Sequence, residues 1–359
     1  MQSEPDDWVE NVRMLEASLG AVVPEDGSLL RVREQRGNGA GFDPTTWRII
    51  AEMGWLALRT KEDDGGLGLG LREATALCAG LGRGLVPEPV ISAILALRLV
   101  SAAGAGAPEA ALTGETIMLA AWQGGASDCD PTAGVTVSDG RLNGRKIAVE
   151  GGLGADIFVV TLAEGIAVVP KDAPGLTVTG QQMHDGTFLA QLDFADVLAE
   201  VLPCAGMTTF VREAMLMHAA YLMALSERAF EITLDYLRMR KQFDVPIGQF
   251  QALQHRATEI KLQLELARAA IGAAGRMLDR SEDPHLAQMA ILRARSRAGG
   301  LARLTAREAI QMHGAIGYTD EADIGLFARK AMVSAGLYGV DTDLRRQFSA
   351  MRDEREKAQ

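Results

Sequence analysis

The residues best suited by type and spacing to do chemistry lie in one run: Arg238-Met239-Arg240-Lys241-Gln242-Phe243-Asp244-Val245-Pro246-Ile247-Gly248-Gln249-Phe250-Gln251. It reads as the end of a long helix, a proline–glycine turn and the start of another helix. Arg240 places a cation at the C-terminal end of the first helix, with amide side chains beside the turn. A guanidinium there can pair with a pyrophosphate, and Gln251 can hydrogen-bond sugar or phosphate. The same residues also suit a purely architectural role. Arg240 would then neutralise the helix dipole, with Phe243 and Phe250 stapling the hairpin. Spacing alone leaves both open.

Other chemistries lack their residues. No Gly-Lys dipeptide occurs, so there is no GxxxxGK phosphate loop. The glycine clusters at 65–70 and 80–84 do not fit GxGxxG and follow no strand, which argues against a dinucleotide fold of that type. No GxSxG elbow is present. His184, His218, His255, His285 and His313 show neither HxxxH nor HExxH spacing, and most read as satisfied or surface side chains. Cys78, Cys129 and Cys204 are widely spaced and read as free thiols. A net charge of −11 argues against a nucleic-acid binder. The acidic N-terminus and the short apolar stretch Val90–Val100, interrupted by Arg98, lead us to expect no targeting segment, no membrane span and a cytoplasmic protein.

The elements that must position these residues fall into three regions of the 359-residue chain. Residues 1–114 carry helical periodicity, with Trp47, Ile50, Ala51, Gly54 and Leu58 on one face, Asp43-Pro44 as a start signal and Gly65–Gly70 as a loop. Residues 115–204 show short β-type runs: Thr116–Trp122, Gly134–Ser138, Asp156–Leu162, Ile166–Pro170, Leu176–Thr179 and Phe188–Phe194. Asp139-Gly140, Asn143-Gly144 and Asp185-Gly186 read as turns between them, and antiparallel pairing is expected. Residues 205–359 return to helix as Phe210–Arg240, Phe250–Arg280, Pro284–Met312 and Ile324–Arg346, which predicts a four-helix bundle. The expected class is α+β.

The run from 240 to 251 resembles the R-x-Q-F-G-x-P-I-x-x-F-Q signature of acyl-CoA dehydrogenases, with Asp244 in place of the usual glycine. Gln311-Met312-His313-Gly314-Ala315-Ile316-Gly317-Tyr318-Thr319-Asp320-Glu321 is similar to that family's Q-x-x-G-G-x-G-[YF]-x-x-E motif, and Arg329-Lys330-Ala331 to its R-D-A. Trp47 to Leu58 and the Gly65–Gly70 loop resemble its N-terminal pattern, and the α, β, α order is its fold. The resemblance implies FAD, an acyl-CoA substrate, an electron-transferring flavoprotein as partner, and a flavin shared between two subunits of a tetramer. It also implies that Arg240, Gln242, Phe243, Phe250, Gln251, Gln311, His313 and Gly314 reach across to FAD held by the neighbouring subunit.

The part that would hold the flavin ring departs from the family. Its T-E-P-x-A-G-S-D stretch is here Ala121-Trp122-Gln123-Gly124-Gly125-Ala126-Ser127-Asp128. Its K-x-W-I-[TS]-N segment is Lys146-Ile147-Ala148-Val149-Glu150-Gly151, with Ala148 for the tryptophan and Glu150 for the Thr or Ser near flavin N5. Ala315 replaces a second glycine. The family's catalytic glutamate falls on Tyr338, or on Gly339 with one gap, and its alternative position falls on Ala214. Glu213 reads as a solvated helix carboxylate, about 100° around the helix from that position, and Asp341 as an exposed one. No convincing catalytic residue is therefore found in this chain. The expected function is a subunit of a heteromeric acyl-CoA dehydrogenase whose paralogue supplies the base. A self-sufficient homo-oligomer with Glu213 or Asp341 as base, or a flavin-free structural or acyl-CoA-binding subunit, are the alternatives.

Overall fold

A computed structural model of the chain describes residues 7–125, 129–280 and 283–358. Ala126, Ser127 and Asp128 of the ring-side motif lie outside the described residues. Two compact units are formed, Met1–Leu77 with Pro87–Met215, and Cys78–Val86 with Leu216–Gln359.

The first unit contains helices α1 (Asp7–Ser18), α2 (Leu30–Gln35) and α3 (Pro44–Glu52), the first half of α4 (Leu71–Arg83), then α5 (Val90–Ala102) and α6 (Glu109–Leu112). Asp43 starts α3 as expected: its carboxylate accepts from the Thr45 and Thr46 amides, with Pro44 at the first helical position. Trp47, Ile50 and Ala51 form the buried face of that helix. Nearly all of α5 is buried, as suits its almost wholly apolar sequence.

Eight strands follow: β1 (Met118–Ala121), β2 (Val135–Ser138), β3 (Arg141–Glu150), β4 (Ile157–Leu162), β5 (Gly165–Pro170), β6 (Leu176–Gln182), β7 (Phe188–Leu198) and β8 (Val201–Leu202). They make two four-stranded sheets, ordered β1-β4-β5-β8 and β2-β3-β7-β6. The Ser92 hydroxyl ties α5 to β1, accepting from the Ala120 amide at 3.1 Å.

Two expectations need correction here. Pairing is antiparallel except between β1 and β4, which run parallel because the chain passes through the other sheet between them. Asn143-Gly144 is not a turn; it lies inside β3, at a register shift between Leu142 and Gly144. The true turn is Asp139-Gly140, with φ of 50° and 70°, the left-handed pair that closes a two-residue hairpin. Gly144 has φ 125°, and a Cβ there would stand 2.2 Å from the Gly134 carbonyl oxygen. The bulge itself requires the glycine.

The second unit contains most of α7 (Met207–Met239), a minimal hairpin of β9 (Lys241–Gln242) and β10 (Val245–Pro246), then α8 (Gln251–Asp279) and α9 (Pro284–His313). Asp283 caps α9 by accepting from the His285 and Leu286 amides. The segment expected as one last helix is two, α10 (Ile324–Ser334) and α11 (Asp341–Ala358). Arg295, 1% exposed, donates to the carbonyls of Ala335 and Leu337 at the end of α10, and Tyr338 (φ 50°) and Gly339 (φ 100°) then redirect the chain. The second glycine cluster also has a packing role: a Cβ on Gly82 would lie 2.2 Å from the Tyr221 carbonyl oxygen of α7.

Candidate functional site

The C-terminal end of α7 delivers Arg240 to the β9–β10 hairpin. Its backbone is fixed, because Arg240 N–H donates to the Tyr236 carbonyl and the Arg240 carbonyl accepts from Ile247 N–H at 2.8 Å. Its guanidinium is exposed and has no acidic partner among the described residues. Phe243 and Asp244 form the hairpin loop at φ 51° and 62°. Asp244 thus adopts the left-handed backbone that explains a glycine in the related signature, and aspartate tolerates it better than most residues. The Gln254 amide donates to the Gly248 carbonyl at 3.0 Å, closing the turn onto the start of α8.

Of the eight residues expected to touch a cofactor, seven are exposed. Gln242 lies in β9, its amide donating to the Lys241 carbonyl at 2.9 Å. Phe243 is 87% exposed and meets Phe250 edge-on at 6.2 Å. Gln251 opens α8, and Gln311 and Gly314 sit at the far end of α9. Gly314 has φ 68° and ψ −143°, backbone that only glycine adopts readily, and no atom lies within 4 Å of where its Cβ would be. His313 is instead buried, 6% exposed, with Nδ1 hydrogen-bonded to the Ala309 carbonyl at 2.8 Å. Its ring stacks on Tyr236 at 4.4 Å. That contact brings the two motifs together, because Tyr236 stands one turn before Arg240. Burial lowers the His313 pKa, while the backbone bond opposes this. Arg329 completes the second motif by pairing with Asp320 at 2.7 Å.

These exposed groups fit a diphosphate-bearing cofactor: a free guanidinium, amides beside it, and an open glycine backbone. The ring-side segment fits a flavin poorly. Ala148 offers no surface to stack on and sits at φ 58° in a second irregularity of β3. Glu150, the last residue of β3, adds a carboxylate to the same segment.

Both carboxylates weighed as bases are committed elsewhere, and both corrections come from burial. Glu213 is not solvated; it is 7% exposed and pairs with Arg59 at 2.9 Å and Arg98 at 3.7 Å. Arg98 also stacks over Phe210, and its pKa falls through burial, opposed by Glu213. Asp341 is half-buried at the start of α11, where it accepts from the Ser296 hydroxyl and pairs with Arg345 at 2.9 Å and Arg303 at 3.5 Å. Ala214 is fully buried, and Tyr338 is 5% exposed with its ring 4.8 Å from His218.

In the sequence His218 is grouped with histidines that mostly read as satisfied or surface side chains, and it is neither. It is 2% exposed, its Nδ1 has no hydrogen-bond partner among the described residues, and its pKa lies well below the usual value. Burial is the main cause, followed by the Arg295 and Lys330 cations. An isolated histidine on an apolar helix gives no signal of this. Tyr236 was missed too, although its place one turn before Arg240 on the same helix could have flagged it. Among the described residues no group of His, Cys, Asp and Glu could hold a metal ion, and no helix is long and apolar enough to cross a membrane.

The family description "Acyl-CoA dehydrogenase, C-terminal domain" matches residues 206–350, and "Acyl-CoA dehydrogenase, N-terminal domain" matches residues 13–107. The chain belongs to the acyl-CoA dehydrogenase family. That family comprises oxidoreductases acting on CH–CH bonds. Acyl-CoA dehydrogenase IpdE2 of Mycolicibacterium smegmatis (strain ATCC 700084 / mc(2)155) is 29% identical over 95% of this chain and 98% of its own length. The fold is shared with the Tcur3481-Tcur3483 steroid ACAD G363A variant, at TM-score 0.87 and 23% identity over 97% of this chain and 99% of that one. It is also shared with a chain of the ChsE4-ChsE5 complex from Mycobacterium tuberculosis, at TM-score 0.86 and 23% identity over 96% and 98%.

Proposed function

We propose that this chain is one subunit of a heteromeric, FAD-dependent acyl-CoA dehydrogenase acting on a lipid or steroid-derived thioester. It contributes Arg240, Gln242, Phe243, Phe250, Gln251, Gln311 and Gly314 to the diphosphate and adenine end of FAD. His313 supports them from beneath through Tyr236. A paralogous subunit contributes the flavin-ring pocket and the carboxylate that removes the α-proton. When bound, FAD supplies the acceptor for the hydride leaving the β-carbon, and an electron-transferring flavoprotein then takes the electrons.

The observation that carries this reading is the state of the two carboxylates nearest the family's base positions. Glu213 and Asp341 each sit between two arginines. Both carboxylates are already committed to ion pairs, and stripping the buried Glu213 of a partner costs several kcal/mol. The exposed, unpaired Arg240 supports the second half of the reading. The names of the related assemblies, a two-component steroid dehydrogenase and a ChsE4-ChsE5 complex, point the same way.

The test is the visible spectrum of the purified chain, alone and co-expressed with its paralogue. We expect a colourless chain alone and a yellow complex that bleaches with acyl-CoA. A chain that is yellow and bleaches alone would show that it holds a complete site, and the shared-site reading would fail.

A further inference from the structure

Away from the hairpin, helices α8, α9 and α11 of the second unit enclose a groove of about 690 Å³. Arg293 and Arg297 line it from α9, and Arg345 and Arg352 from α11. The α11 pair is already compensated, Arg345 by Asp341 and Arg352 by Asp353, each at 2.9 Å. The α9 pair is not. Arg293 and Arg297 are exposed, stand one helical turn apart on the same face, and have no acidic partner among the described residues. Two like charges at that spacing repel each other, and a bound anion relieves the repulsion.

The rest of the groove narrows the ligand. Its floor is apolar, with Leu301 and Leu344 buried and Phe348 half-buried. On the opposite wall Glu259 accepts a hydrogen bond from the Gln263 amide at 3.0 Å, which sets a negative charge against any polyanion filling the whole groove. A molecule with one anionic head at the α9 wall and an apolar body along the floor satisfies every wall. We infer that the groove between α8, α9 and α11 binds an amphipathic organic anion, a hydrocarbon body bearing one carboxylate or phosphate, through Arg293 and Arg297. The site is separate from the Arg240 hairpin and stands independently of the flavin reading.

Calorimetric titration of the full chain with dodecanoate and with dodecyl phosphate, below their micelle-forming concentrations, tests this. Dodecanol and inorganic phosphate are the controls. We expect at least one of the two dodecyl anions to bind once per chain, the tighter one identifying the head group, with neither control binding at the same concentration. The double variant R293Q/R297Q should lose at least tenfold in affinity while keeping its melting temperature and native mass, and added salt should weaken wild-type binding. Absence of anion binding, equal binding of dodecanol, or undiminished binding by the double variant would each overturn the inference. So would a double variant whose native mass changes while its anion affinity does not, because the arginines would then belong to a subunit contact.

Discussion

Lys146 is wholly buried, and its ammonium donates to the carbonyls of Trp122 at 3.0 Å, Pro131 at 3.0 Å and Ala133 at 2.6 Å, and reaches the Thr161 hydroxyl at 3.2 Å. One side chain thus satisfies three carbonyls from a stretch with little regular structure. Lys146→Met keeps the length and removes every donor. We expect it to cost about 3 kcal/mol or more, because buried acceptors without partners are expensive. Urea unfolding reads this directly, and a loss below about 1 kcal/mol would mean that other donors replace it. In the sequence Lys146 was visible only as a match to a family motif. Its partners could not be read there, because the carbonyls converge on it only in the folded sheet. Glu213 teaches the same lesson in reverse. Its type and position on α7 were plain, but Arg59 and Arg98, which decide what it does, are distant in sequence.

Among the elements, helices were read best where local chemistry sets their ends. Asp43 and Asp283, each followed by proline, start α3 and α9 through their own carboxylates. The break between α10 and α11 was missed because it depends on Arg295 of α9 capturing carbonyls, a tertiary interaction with no local signature. Strand β3 was misread because Asn-Gly usually signals a turn. Here the glycine serves a bulge, and that makes a prediction for the strand as a whole. Gly144→Ala must bring a Cβ to within 2.2 Å of the Gly134 oxygen at a φ that L-residues avoid. We expect a loss of at least 2 kcal/mol and disturbed β2–β3 pairing. Calorimetric melting measures the first, and amide exchange at Val135 and Val137 the second. Unchanged protection at those amides would show that the bulge can move without cost.

At the scale of the molecule, stability should depend on two histidines. The folded pKa of His218 and of His313 lies below the ordinary 6.5. On acidification the unfolded chain therefore takes up these protons first, and stability is lost as pH falls below about 6.5. The slope can reach about 1.4 kcal/mol per pH unit for each histidine. Denaturant titrations at pH 7.5, 6.5 and 5.5 should show it, and His218→Gln should flatten it. A stability that stays constant as the pH falls would contradict the assignment. The order of helices and strands was legible from composition and periodicity, whereas the separate basic groove was not, since it draws on three helices. The hairpin at the end of α7 has one more consequence. Phe243 is 87% and Met239 73% exposed, so the chain carries an adhesive surface until something covers it. On the shared-site reading, chains made in excess of their paralogue are aggregation-prone orphans open to proteolysis. Matched synthesis of the two would then matter as much to the cell as the activity of the finished enzyme.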